Sequence, residues 1–146
     1  MTLGGNQKNT FNDFTQYPQI KKKINSFSIS STCITNLQYL QFIENSGYVD
    51  ISFWTSAGWA WKSFNHIFLP KNWTLNENED NLKKFSINGK FLEDVSSFPI
   101  NNITYYEAEA FCNYVNGRLP EEDEWEWVCT NRNTTIYPWG IKKPCL

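Results

Sequence analysis

Eight large rings (Tyr48, Phe53, Trp54, Trp59, Trp61, Phe64, Phe68 and Trp73) crowd one stretch that shows neither sustained helical spacing nor strand alternation. A long connection of this kind is unusual inside a compact domain unless it packs on its own side chains. The rings supply that packing. The pattern therefore predicts a loop-rich domain whose core is made of indole and phenyl groups rather than aliphatic layers. Composition agrees: 17% of the 146 residues are aromatic, with 7 Trp, 7 Tyr and 11 Phe.

The 13 basic and 15 acidic residues give a formal net charge of -2, without the basic footprint of a nucleic-acid or anionic-membrane partner. No stretch reaches the roughly 20 apolar residues needed to span a bilayer, and the first turns of chain lack the apolar run of a signal peptide. The expectation is a cytoplasmic chain that meets neither nucleic acid nor membrane. Four cysteines (Cys33, Cys112, Cys129 and Cys145) form no Cys-x-x-Cys pair and accompany a single histidine, His66. A zinc ligand set or a cysteine–histidine nucleophile needs more than this, so no metal ligand and no catalytic residue is assigned.

Residues 1–23 are rich in Gly, Asn, Gln and Lys without periodicity, which predicts an extended lead-in segment before a domain over 24–146. In 24–31, Phe27 and Ile29 alternate with serines, the period-two pattern of a short strand with one wet face. Thr35 and Gln38 have the spacing of a capping box. Leu37, Leu40, Phe42 and Ile43 follow at helical intervals, predicting a helix over 36–45 closed by Gly47. The same grammar recurs at Thr104 and Glu107, ahead of Ala108, Phe111, Tyr114 and Val115, with Gly117 at the end. Phe111 is expected in the core between the aromatic stretch and Trp125. A third helix should follow Pro120, where Glu121, Glu122, Asp123 and Glu124 suit the positive end of a helix dipole. Between the first two helices the reading leaves about fifty residues without regular structure, apart from a turn at Asn88-Gly89 between extended pieces.

A longer pattern runs through these helices. Pro99-Ile-Asn-Asn-Ile-Thr-Tyr-Tyr-Glu-Ala-Glu-Ala-Phe-Cys-Asn-Tyr-Val-Asn-Gly-Arg-Leu-Pro-Glu-Glu-Asp-Glu-Trp-Glu-Trp127, then Tyr137-Pro-Trp-Gly140, resembles the central signature of the sulfatase-modifying-factor superfamily. That superfamily holds the formylglycine-generating enzymes and the C-terminal domains of ergothioneine and ovothiol sulfoxide synthases. Upstream, Ile34-Thr-Asn, Tyr39-Leu-Gln-Phe-Ile, Gly47-Tyr, Trp54, Gly58-Trp-Ala-Trp61 and Pro70-Lys-Asn-Trp73 resemble the sulfoxide synthase branch more than the formylglycine branch. Phe11-Asn-Asp-Phe resembles a decayed form of that branch's first motif.

The resemblance implies an α+β, C-type-lectin-like fold with little regular secondary structure, incomplete on its C-terminal side. It also implies a non-haem iron-dependent oxidoreductase that uses O₂ to join a thiol to an imidazole carbon of a histidine derivative. In that branch a separate His-rich helical domain and the segment after it supply three histidines to Fe(II). With His66 alone, this chain is expected to hold no cofactor and to be inactive by itself, its partner being such a domain or the absent C-terminal half. A formylglycine-generating relative is the alternative, although the cysteine pair of that branch lies beyond the Tyr-Pro-Trp-Gly segment; a non-catalytic lectin-like binding module is the third reading. Cys112 and Cys129 fall where secreted formylglycine enzymes carry paired cysteines, and are expected here as small buried side chains. Ergothioneine-type substrates carry a trimethylammonium group, which indole faces attract by roughly 0.5 to 2 kcal/mol. Trp54, Trp59, Trp61 and Trp73 are therefore the candidate substrate-binding residues, beside the simpler reading that they form the core.

Overall fold

The computed structural model describes residues 2–3, 20–130, 135, 138–140 and 142, so Phe11-Asn-Asp-Phe, most of the lead-in segment, Tyr137 and Cys145 lie outside the described residues. The chain divides into two compact units, Ser30–Leu119 and a second assembled from Met1–Ile29 with Pro120–Leu146. In chain order the elements are strands β1 (Thr2–Leu3) and β2 (Ile20–Lys21), helices α1 (Asn36–Glu44) and α2 (Ser56–Phe64), strands β3 (Trp73–Leu75), β4 (Phe85–Ile87) and β5 (Lys90–Phe91), and helices α3 (Leu92–Val95), α4 (Tyr105–Tyr114) and α5 (Glu122–Cys129). Helices and a small antiparallel sheet place the protein in the α+β class.

In the larger unit both expected capping boxes form. Thr35 Oγ1 accepts from the Gln38 N–H at 3.2 Å, while the Thr35 N–H donates to Gln38 Oε1 at 2.9 Å. Thr104 and Glu107 make the same exchange at 3.4 and 2.9 Å. Each box fixes where its helix begins, because it satisfies N–H groups that have no partner inside the helix.

The helix ends differ from the sequence expectation in an informative way. Gly47 and Gly117 were expected to take the left-handed position, but Ser46 (φ 65°) and Asn116 (φ 55°) occupy it instead. Each glycine sits one residue later and donates its N–H back, Gly47 to Phe42 O and Gly117 to Cys112 O, both at 2.8 Å. This is the six-to-one bond of a Schellman cap. Helix α2 ends in the same manner, with His66 (φ 53°) in the left-handed position and the Ile67 N–H donating to Lys62 O at 3.0 Å. Gly47 is a glycine for lack of room rather than for its dihedral angle: a Cβ there would lie 2.5 Å from the Phe42 ring and from Phe42 O.

Helix α1 divides its apolar side chains between two cores. Tyr39 and Phe42 pack with Tyr48, Trp54, Ala110 and Phe111, while Leu40 packs with Trp73, Phe85, Ile87, Leu92 and Val95. The second core rests on the sheet β3-β4-β5, whose hairpin pairs Ile87 with Lys90 around Asn88 (φ 52°) and Gly89 (φ 77°). Two successive positive φ angles are what a tight turn between twisted strands requires, and the Asn-Gly pair foretold it. The α1 N-terminus is tied down by the turn after α3: the Asn36 and Leu37 N–H groups donate to Phe98 O and Ser96 O at 2.8 and 2.9 Å, and Asn36 Nδ2 to Val95 O at 2.8 Å.

In the second unit β1 and β2 pair antiparallel, Thr2 with Lys21 and Leu3 with Ile20. Helix α5 follows Pro120 as expected, with the Glu121 N–H donating to Glu124 Oε2 at 2.9 Å, and the Lys22 ammonium forms an ion pair with Asp123 in the first turn.

Two expectations are corrected. Residues 24–31 form no strand; Phe27 is half-buried and Ile29 exposed. Period-two alternation specifies a face only when a sheet edge is present to pair with it. The stretch between α1 and α4 is not structureless, since it contains α2, α3 and the three-stranded sheet. Phe111 is buried as expected, with Tyr39, Phe42 and Tyr114 as its ring partners.

Phe111→Ala should lower unfolding free energy by about 3 to 5 kcal/mol, and loss of the Thr104 cap in Thr104→Ala by about 1 kcal/mol, in denaturant titrations. Gly47→Ala should cost about 1 to 3 kcal/mol by overpacking against Phe42, which thermal melts compared with wild type would register.

Candidate functional site

Helix α2 begins at Thr55, whose Oγ1 accepts from the Gly58 N–H at 3.2 Å. A Cβ on Gly58 would lie 3.3 Å from the Tyr106 ring and 3.4 Å from Trp54, so the bare glycine lets α2 approach α4 closely. That approach sets Trp61 against Tyr106, ring centroids 5.5 Å apart and 35° between planes. Tyr105 meets Tyr106 edge-on at 5.8 Å. One turn along α4, Glu109 receives hydrogen bonds from Thr55 Oγ1 at 2.9 Å and from the Tyr105 hydroxyl at 3.3 Å.

The result is an aromatic shelf with one carboxylate at its edge. Ring faces and a carboxylate both attract cations, and an ionised carboxylate with two hydroxyl donors retains acceptor capacity. The Glu109 charge pushes the exposed Tyr105 phenol above its ordinary pKa. Cys112, on the next turn, is half-buried rather than fully buried; desolvation, and then the Glu109 charge, raise its thiol pKa. Thiol rather than thiolate is the form this environment favours, which makes Cys112 a poor nucleophile. Cys33, Cys112 and Cys129 are free.

The same unit buries a second set of polar groups. Lys62 is only 5% exposed, with its ammonium 4.6 Å from the centroid of the Trp59 ring and 5.3 Å from that of Phe68. Burial lowers its pKa, and the two ring faces take the place of a counter-ion. Deeper still, the Tyr48 hydroxyl donates to Glu107 Oε1 at 2.5 Å and lies 3.2 Å from the Tyr39 hydroxyl. Glu107 Oε2 accepts from the Thr104 N–H and hydroxyl at 2.9 and 2.8 Å. Desolvation pushes both phenols well above their ordinary range.

The four tryptophans singled out from the sequence do not form one cage. Trp54 and Trp73 are buried in separate cores, and Trp59 and Trp61 are half-buried on α2. Trp54 meets Trp59 edge-on at 6.4 Å, while Trp61 faces Tyr106. Tyr105, Tyr106 and Glu109 were not singled out, although Tyr105 and Glu109 stand at helical i, i+4 spacing. Their link to Trp61 was hidden because α2 itself went unread. Among the described residues no three His, Cys, Asp or Glu side chains gather as a metal-binding group, and His66 is an exposed helix-end residue. The described donor set therefore does not fit a ferrous centre.

The profile of the Sulfatase-modifying factor enzyme 1-like domain matches residues 1–144, and the chain belongs to that family. Among its relatives is the hercynine oxygenase of Mycolicibacterium thermoresistibile, 33% identical over 126 residues that cover 82% of this chain and 26% of the relative. The hercynine oxygenase of Mycolicibacterium smegmatis is 31% identical, over 83% of this chain and 28% of the relative. The formylglycine-generating enzyme of Thermomonospora curvata is 23% identical over 149 residues, covering 94% of this chain and 48% of the relative. The chain thus spans about a quarter of the length of the hercynine oxygenases it matches.

Replacing Glu109 by Gln should bring the Tyr105 phenol down toward its ordinary pKa, because the charge that disfavours phenolate is removed. A pH titration of the Tyr105 ring by NMR checks this; an unchanged midpoint would mean that Glu109 does not govern the shelf's electrostatics.

Proposed function

We propose that the chain is the sulfatase-modifying-factor part of an oxygenase of the sulfoxide synthase type, C-type-lectin-like in fold, that joins a thiol to an imidazole carbon of a histidine derivative in the cytoplasm. The observation that carries this reading is the higher identity to hercynine oxygenases than to a formylglycine-generating enzyme over most of the chain. No described helix is long and apolar enough to cross a membrane.

In this reading iron and O₂ chemistry belong to a His-rich helical partner domain, because the described residues offer no ligand group of their own. This chain contributes one wall of the cleft. Trp61, Tyr105 and Tyr106 present ring faces to the cationic end of a substrate, and Glu109 supplies the opposing charge. The second reading, a formylglycine-generating relative, is favoured by the larger share of that enzyme which the chain covers.

Anaerobic calorimetry of the chain with ferrous iron should show no one-to-one complex of sub-micromolar affinity. Fusion to, or mixing with, a His-rich helical domain encoded beside it should confer both iron binding and O₂-dependent carbon–sulfur bond formation. Oxidation of a cysteine in a sulfatase-derived peptide, without such coupling, would move the assignment to the formylglycine branch.

A further inference from the structure

Five oxidisable rings form a continuous row through the larger unit. Trp73 lies 6.5 Å from Tyr39 by ring centroids, the Tyr39 and Tyr48 hydroxyls are 3.2 Å apart, Tyr48 lies 5.8 Å from Trp54, and Trp54 lies 6.4 Å from Trp59. Trp59 is half-buried and is the end of the row nearest solvent; Tyr39, Tyr48, Trp54 and Trp73 are buried. When one electron leaves such a ring, the fate of the ring's acidic proton decides whether the vacancy stays there, since a bare buried cation is strongly disfavoured.

The members of the row differ sharply on this point. Trp73 Nε1 is buried without a hydrogen-bond partner among the described residues. Trp54 Nε1 donates to the backbone carbonyl of Gly47 at 2.8 Å, an acceptor that cannot hold a proton. Tyr39 donates to the backbone carbonyl of Glu107 at 3.5 Å. Tyr48 alone points its hydroxyl at a carboxylate, Glu107 Oε1, at 2.5 Å.

We propose that Tyr48 is a radical site: a one-electron oxidant acting at Trp59 draws an electron from Tyr48 through Trp54, and the Tyr48 proton passes to Glu107. The Tyr48 O–H bond breaks, its proton forms an O–H bond on Glu107 Oε1, and its electron reduces the oxidised Trp54, which has already reduced Trp59. The oxidant, a photochemical or high-valent metal species, gains one electron. A phenol beside a carboxylate becomes a neutral phenoxyl radical beside a neutral carboxylic acid, so the buried site loses its charge, a change that the low-dielectric interior favours.

The surroundings set a direction. The Lys62 ammonium, 4.6 Å from the Trp59 centroid, repels positive charge on that indole, whereas nothing of the kind faces Trp54 among the described ring contacts. The vacancy is thus driven inward from Trp59 toward Tyr48. Desolvation also keeps the phenol protonated until oxidation, so the proton is on the hydroxyl when the electron is drawn. The site stands on these contacts and is independent of the branch to which the activity belongs.

The test is flash oxidation of the full chain with photogenerated tris-bipyridyl ruthenium(III), followed by freeze-trapping and electron paramagnetic resonance. An added thiol quenches radicals on exposed phenols such as Tyr105, so the reading is the thiol-resistant signal. A neutral tyrosyl signal should form, should vanish in Tyr48→Phe and should persist in Tyr39→Phe. Trp54→Phe should slow its appearance. Glu107→Gln can still close the capping box but cannot take the proton, and should lose the tyrosyl signal with near-ultraviolet circular dichroism unchanged. In heavy water the signal should form more slowly. A thiol-resistant signal that survives Tyr48→Phe, or equal yields and rates in Glu107→Gln and wild type, would overturn the proposal.

Discussion

A carboxylate taken out of water is tolerated only when donors meet its oxygens, and Glu107, 2% exposed, receives them from Thr104 and Tyr48 while its backbone carbonyl takes a third contact from Tyr39. Its own helix start is held through Thr104, the segment after α1 through Tyr48, and α1 itself through Tyr39, whose hydroxyl reaches the Glu107 carbonyl. The contact from the Tyr48 hydroxyl, at 2.5 Å, is a short one for an O–H donor. The depth of Tyr48 then places Trp54 beside it, Trp54 places α2 across Gly58, and α2 carries Trp61 to Tyr106.

Local rules made part of this legible. Thr35 with Gln38, Thr104 with Glu107, and Asn88 with Gly89 are short-range chemical statements, and each occurs in the structure as the residues imply. Helix α5 was legible for the same reason, from Pro120 and its acidic first turn. The family was legible because its motif runs dense and ordered from Pro99 to Trp127, with Glu121 as a departure, and needs no tertiary knowledge.

What stayed hidden depends on partners distant in sequence. Helix α2 is short, and its rings face two directions, Trp59 toward Trp54 and the core and Trp61 toward α4, so no single stripe announces it. The expected strand at 24–31 failed in the opposite way: its alternation was clear, but among the described residues no strand pairs with it. Glu107 itself was read only as half of a capping box. That the same carboxylate also receives the Tyr48 hydroxyl, fifty-nine residues away, is a fact of packing that no spacing rule contains.

The left-handed helix ends bear on how this chain can change over time. Ser46, His66 and Asn116 each hold a backbone conformation in which a side chain crowds the following carbonyl, a penalty on the order of 1 kcal/mol that glycine escapes and asparagine partly escapes. Three separated sites therefore each stand one substitution away from a more relaxed backbone. Such positions act as a mutational reserve: drift to glycine at any of them offsets damage elsewhere, leaving the tightly packed ring core free to accept changes that would otherwise unfold it.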